Sequence, residues 1–279
     1  MSKSPKPRLD RIIVAVDFSE PSVLAARWAA DHFAPEAEVV LVHIIEPPPA
    51  TRSNVMRYPS METIVNKAHL DVETRLNELR DSIAPSRSRA EIRVGSPHDE
   101  LVQLAVSIGA DVIVAGRQDL SSSGWARVGT TAQRVVRKTS LPVLLVAGVQ
   151  PHSPDQILIA VDDSDMTDDV LRWGMFFAER FGAKATVVHA AGDEGPDDDD
   201  SWITEQIGAA GGGGSVEQRV TRAPVRPAEA IIAETRDLKS ELVVIGSRGA
   251  GAAHQMLFGS VAESVLLSSP CPVFVVVPA

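Results

Sequence analysis

Residues 11–17 read RIIVAVD, and residues 156–162 read QILIAVD. Each is a short run of β-branched and aliphatic residues closed by an aspartate. That is the pattern of a strand buried on both faces. Working outward, each run is followed by a helical stretch, at about Pro21–Phe33 and Thr167–Phe181. Then come VVLVHII (39–45) and TVVHAA (186–191), two apolar strands that each carry a histidine. Further on, ADVIVAG (110–116) matches ELVVIGS (241–247). Both series end in a Pro-Val strand, PVLLV (142–146) and PVFVVV (272–277). One unit is therefore written twice.

The offsets measure the repeat. Asp17 and Asp162 are 145 positions apart, and His43 and His189 are 146 apart. Gly116 to Gly246, Gly129 to Gly259 and Pro142 to Pro272 are each 130. The second copy has thus lost 16 residues between its second and third strands. There the first copy has an amphipathic helix, about Met61–Ser82. The second has an acidic stretch, Asp193–Asp200, a brief segment around Trp202–Ile207, and four glycines, Gly211–Gly214. Alternating strands and helices with continuously apolar strands predict an α/β fold. It comprises two tandem, open, twisted, five-stranded parallel sheets with helices on both faces. Ligands bind such sheets beyond the carboxyl ends of the strands, where Asp17, Asp162, Gly116 and Gly246 fall. The Pro- and turn-rich segment GVQPHSPD (148–155) predicts a boundary dividing domain 1–150 from domain 151–279.

Composition narrows the function. The chain has 279 residues, enough for two domains at roughly 150 each. Its net charge of −10 argues against binding a nucleic-acid backbone, and 4% aromatics argue against base-stacking platforms. One cysteine, Cys271, cannot form an internal disulfide. No apolar run approaches the ~18 residues needed to span a bilayer, and IIVAV is too short for a signal peptide. The expectation is a soluble, cytoplasmic protein without nucleic-acid or membrane partners.

The second copy carries the sharper motif. The strand ELVVI leads into Gly246-Ser247-Arg248-Gly249; nine residues follow, then Gly259-Ser260 and the helical pattern VAESVLLSS. Glycines let backbone amides approach an anion, and a helix start adds unpaired N–H groups and partial positive charge. Ser260 can cap the helix and bond a phosphate, and Arg248 can add a charge-assisted contact. A plain tight turn with a serine cap accounts for the same residues. The loop alone leaves the two readings open.

The whole layout resembles the universal stress protein family in its tandem form. Nucleotide-binding members carry Gly-x-x-Gly, nine residues, then Gly-Ser or Gly-Thr, as Gly246, Gly249, Gly259 and Ser260 do here. The strand-one aspartate, the His-bearing second strand and the closing Cys271-Pro272-Val273 match as well. The resemblance implies a Rossmann-like, adenine nucleotide alpha hydrolase-like fold, paired by a pseudo-two-fold through the last strands. It implies ATP, ADP or AMP in the second domain, with or without Mg²⁺. Asp162 would contact the nucleoside, and Ala160, Val161 and Ala190 would line an adenine slot. Gly246, Gly249, Gly259, Ser260 and Val261 would hold phosphates.

The first copy departs from the motif. It reads Gly116-Arg117-Gln118-Asp119, nine residues, then Gly129-Thr130, with Asp119 in the place of Gly249. A carboxylate there repels phosphate. A degenerate site would use Val16, Asp17, Ile44, Gly116, Gly129 and Thr130. Gly124, Arg117 or Arg127 would be the compensating residues. In the second copy Val225 replaces Gly95, crowding one edge.

Other features read more plainly. Asp163-x-Asp165-x-Thr167 has the spacing of a phosphatase nucleophile loop, but the repeat makes Asp162 the shared residue. Their first-copy equivalents are Phe18, Glu20 and Ser22. His43 and His189 read as structural, Cys271 as buried, and the acidic run as a solvated insert. Met-Ser-Lys-Ser at the start echoes a synthetase motif by coincidence. The expected function is an ATP-binding regulatory protein with little or no hydrolysis, since no general base is placed. The alternatives are a nucleotide-independent dimerising interaction protein and a slow adenine-nucleotide hydrolase. A homodimer and an unidentified protein partner are also expected.

Overall fold

The computed structural model describes residues 6–46, 60–83, 86–117, 130–150, 152–191, 201–210, 216–222, 226–249 and 258–278. The first repeat contains β1 (Arg11–Ala15), α1 (Glu20–Trp28), β2 (Glu38–Ile45), α2 (Ser60–Ile83) and β3 (Ser88–Val94). It continues with α3 (Pro97–Ser107), β4 (Val112–Gly116), α4 (Thr130–Lys138) and β5 (Val143–Val146). The second contains β6 (Gln156–Val161), α5 (Thr167–Phe181), β7 (Lys184–Ala191), α6 (Ser201–Ala209) and β8 (Val216–Arg222). It ends with α7 (Pro227–Asp237), β9 (Leu242–Gly246), α8 (Ser260–Ser268) and β10 (Val273–Val276). The shortened second copy is visible as a 9-residue α6 in place of the 24-residue α2.

Strand order is β3-β2-β1-β4-β5-β10-β9-β6-β7-β8. Within each half every ladder is parallel. At the centre β5 and β10 run antiparallel, with Leu145 opposite Val273 and Leu144 opposite Phe274. The two expected five-stranded sheets are thus joined edge to edge into one of ten strands. This covers two apolar edges that would otherwise template aggregation.

The helix expected over about 21–33 is interrupted. α1 stops at Trp28, and Ala29–Phe33 form a π-helical turn. The widened turn lies where Phe33 is fully buried, 5.8 Å from Trp28, 5.3 Å from Phe177 and 6.3 Å from Phe274 between ring centres. No local residue marks this break, because apart from Trp28 the rings around Phe33 come from the other repeat. Phe181 and Trp173 extend the same cluster. The scarce aromatics are therefore concentrated at the domain junction, where each fully buried side chain contributes roughly 1.5–3 kcal/mol.

Alternation along the strands sorts the core onto both faces of the sheet. Ile12, Val14 and Leu144 pack with the aromatic cluster, while Ile13, Val143 and Leu145 pack with α3, α4 and α8. After β5 the chain turns at Gly148, whose φ of 59° is left-handed. A Cβ there would run into the Pro270 carbonyl of the other repeat. Ser153 then donates to the His32 carbonyl at 2.9 Å, tying the linker to the first domain.

Candidate functional site

In the second repeat β6 lies between β7 and β9, so connections leave to opposite sides and a crevice opens past the strand ends. A cavity of about 340 Å³ fills it. One wall is apolar: Ala160 and Val161 of β6, Ala190 of β7 and Ile245 of β9. The other end is the loop and helix start: Gly246, Arg248, Gly249, Gly259, Ser260 and Val261. Asp162 lines it too, with its carboxylate beside Gly249. All ten residues proposed from the second copy line this one cavity.

Several lining residues escaped the sequence reading. Met166 and Val170 come from the start of α5, Pro227 and Ile231 from α7, with Thr167 and Ala262 beside them. Both helical pairs are spaced i, i+4 and so share a helix face. That periodicity identifies an inward face. It does not reveal which part of the interior is left open.

The loop is held by its own backbone. The Gly259 amide donates to the Ser247 carbonyl at 2.7 Å, and the Ser247 amide to the Val276 carbonyl at 2.7 Å. Gly259 is the N-cap residue of α8, and no side chain caps that helix among the described residues. Its first-turn amides therefore lack the partner that Ser19 supplies to Ser22 in α1. A Cβ on Gly259 would meet only ordinary contacts, the nearest 3.4 Å away at the Ser247 carbonyl. The protein itself does not require glycine there. At Gly249, by contrast, a Cβ would strike the Asp162 carboxylate. Arg248 adds a buried Nε without a hydrogen-bond partner among the described residues. A donor-rich, glycine-lined end of this kind fits a phosphate, whose oxygens accept from amides and guanidinium alike.

The phosphatase spacing dissolves in three dimensions. Asp163 and Asp165 are exposed, and the Thr167 hydroxyl donates to the Asp162 carbonyl. Of the three aspartates only Asp162 lines the cavity. The histidines serve the backbone: the Nδ1 of His189 lies 3.0 Å from the Val161 carbonyl, and that of His43 lies 2.7 Å from the Val16 carbonyl. Val225, the acidic run Asp193–Asp200, Gly211–Gly214 and the opening Met-Ser-Lys-Ser lie outside the described residues.

The first repeat arranges its counterparts differently. Asp17 is satisfied within its own loop, accepting from the Ser19 amide at 2.9 Å and from the Ser19 hydroxyl. Burial works to raise its carboxyl, but the hydrogen bonds from Ser19 and Ser22 outweigh burial and hold it below the usual carboxylate range. Phe18, at a left-handed φ of 62°, stacks on His43 at 4.9 Å, and the Arg75 guanidinium lies 4.1 Å above its ring. Gly116 lies directly beneath the Pro21 carbonyl, so the chain closes over it. Val16 is buried, and Ile44 packs against the core. Thr130 opens α4; Asp119, Gly124, Arg127 and Gly129 fall outside the described residues. Arg117 requires a correction. As a compensating cation it would face its own loop. Instead it is buried and donates to the Leu266 carbonyl at 2.6 Å and to the Ser269 carbonyl, both in the other repeat. Helix C-terminal carbonyls carry partial negative charge, and they have taken the guanidinium.

The sequence profile of the Universal stress protein family matches residues 8–147 and again 154–277. The chain belongs to the universal stress protein family. A universal stress protein of Mycobacterium tuberculosis is 30% identical over 292 residues, covering 95% of each chain. One of Mycolicibacterium smegmatis is 28% identical, over 96% of this chain and 97% of its own. The crystal structure of a universal stress protein from Archaeoglobus fulgidus superposes with a TM-score of 0.75 at 21% identity. It covers 98% of this chain and 100% of the other, and so supports the fold.

Two further groups of this universal stress protein lie away from the cavity. Cys271 is buried beside Ser269, and burial pushes its thiol up to about 11. At the domain junction His152, Asp155 and Glu241 bring ligand-capable atoms within 4.8 Å of one another. They form a surface ion-pair group, with the His152 Nε2 3.6 Å from Glu241. Among the described residues of the universal stress protein no helix is long and apolar enough to cross a membrane.

Proposed function

We propose that this universal stress protein is an adenine-nucleotide-binding regulator, with ATP as its main ligand and the second domain as its binding half. The observation that carries this reading is the start of α8. A helix of nine residues opens on Gly259 with no side-chain cap among the described residues, at the edge of an open cavity. Ala160, Val161, Ala190 and Ile245 would hold an adenine between aliphatic walls. Asp162 would accept from a ribose hydroxyl. Gly246, Gly249, Ser260 and Val261 would bring amides to the phosphates, Gly259 would let them approach without a side chain in the way, and Arg248 would add positive charge. This explains how a chain of net charge −10 can take an anion: the attraction is local and supplied mostly by backbone. A divalent cation would ride on the phosphates, since Asp162 is the one carboxylate lining the cavity among the described residues.

Occupancy rather than turnover is the proposed output. A hydrolase needs a placed general base, and Asp162, the one carboxylate lining the cavity among the described residues, is assigned here to the ribose. A stress-response role in the cytoplasm is the corresponding cellular expectation.

The decisive experiment is calorimetry with ATP on nucleotide-free wild type and Gly259→Ala. The geometry leaves room for the added methyl, so the variant should fold normally and bind ATP far more weakly. Absence of ATP binding by wild type would end the reading, and equal binding by the variant would misplace the phosphates. A second reading applies to the first domain. The satisfied Asp17 and the diverted Arg117 favour a nucleotide-independent, interacting half. One nucleotide per chain, counted after denaturing the purified protein, is the expected stoichiometry.

A further inference from the structure

We propose that the first domain controls nucleotide affinity in the second by holding α8, with Arg117 as the principal positioning residue. This rests on the nucleotide reading of the cavity and adds its regulation. α8 is the element whose N-terminus closes the cavity, through Ser260, Val261 and Ala262. Its far end is held by a residue of the other repeat. Arg117 is 6% exposed, and its two terminal nitrogens donate to the carbonyls of Leu266 and Ser269. A buried guanidinium requires such partners, and α8 requires donors at its C-terminus.

The near end is held from the first domain too. Arg137 of α4 pairs with Glu263, in the first turn of α8, at 3.0 Å. Gln133 of α4 lies 3.5 Å from the same carboxylate. The Arg137 guanidinium also sits 6.0 Å from the ring of Phe258, the residue before Gly259. Three side chains of one domain therefore grip the helix that shapes the other domain's site. Two of them stand on α4, which begins immediately after the first copy's own Gly129.

The clamp is not symmetric. Ser247 occupies the repeat position of Arg117, and a serine cannot span to the opposite helix. Its hydroxyl is buried without a hydrogen-bond partner among the described residues. The first copy has thus kept the loop position and turned its cation outward, toward the domain with the intact motif. Whatever displaces the first domain's loop or α4 would move α8 and change the phosphate end of the cavity. Linkage requires the converse as well: ligand at α8 tightens the domain contact.

Two measurements test this. Hydrogen exchange of α8 amides, without ligand, should be accelerated about tenfold or more in Arg117→Met relative to wild type. That readout needs no nucleotide, so it separates a failed clamp from a failed nucleotide reading. ATP affinity by calorimetry should fall about tenfold in Arg117→Met, with partial recovery in Arg117→Lys, which can still reach one carbonyl. A folded Arg117→Met with wild-type exchange in α8 and wild-type ATP affinity would overturn the proposal. If Arg117→Met does not fold, the half-exposed Arg137→Gln takes its place. It should weaken ATP by about threefold, and unchanged affinity there would overturn the proposal equally.

Discussion

The carboxylate of Asp162 occupies the space that a side chain on Gly249 would need. One contact thereby explains a difference between the two repeats. The first copy has Asp17 in the place of Asp162 and Asp119 in the place of Gly249. Transferring that pair to the second site would set a second carboxylate against Asp162, in the loop assigned to the phosphates. Gly249→Asp should therefore lower ATP affinity more than about a hundredfold, with clash and like-charge repulsion acting together. Calorimetry measures the loss, and an unchanged far-UV circular dichroism spectrum would show that the fold persists.

Phe33 bridges the repeats. It is fully buried and lies 5.3 Å from Phe177 and 6.3 Å from Phe274. Truncation would leave a cavity at the domain junction that aromatic neighbours fill poorly. Phe33→Ala should cost about 3–5 kcal/mol in urea unfolding. A loss under about 1 kcal/mol would mean that the two halves do not depend on this cluster.

Cys271 should be chemically silent. Its thiol is buried and pushed up to about 11, so little thiolate exists near neutrality. In native protein at about pH 8 its modification by a disulfide reagent should be more than about a hundredfold slower than that of an exposed thiol. Denaturant should release the full stoichiometry of one. Fast reaction in the native state would contradict the burial.

His152 gives the domain junction a pH dependence. Its hydrogen bond to the Ser153 carbonyl, followed by the charges of Glu241 and Asp155, raises its pKa above the ordinary 6.5. A raised folded-state value means stabilisation complete below the unfolded pKa and lost as pH rises through the folded one. The stability advantage of wild type over His152→Gln should therefore be present at about pH 5.5 and shrink toward about pH 8.5. NMR titration of His152 should give a midpoint above 6.5, and a midpoint at or below it would remove the effect.

Much of this was legible in the chain. The aspartate-terminated strands, the constant offset of 130 and the alternation of elements define two parallel halves. They also place the intact glycine motif in the second. Those features are local or periodic, so the sequence carries them directly. The ten cavity residues could be named because the resemblance carried the family's pattern onto strand ends, the loop after β9 and the first turn of α8. Met166, Val170, Pro227 and Ile231 could not, because a helical period marks an inward face without showing where packing stops short.

The sequence by itself determined the duplicated α/β plan, the shortening of the second copy and the asymmetry of the two motifs. Tertiary structure alone decided what the odd residues do. The π-helical turn before Phe33 and the use of Asp17 within its own loop depend on neighbours in space. So does the destination of Arg117, whose side chain joins carbonyls 149 and 152 positions away. A buried cation goes where unpaired acceptors meet it, and that meeting exists only once β5 and β10 have brought the two halves together.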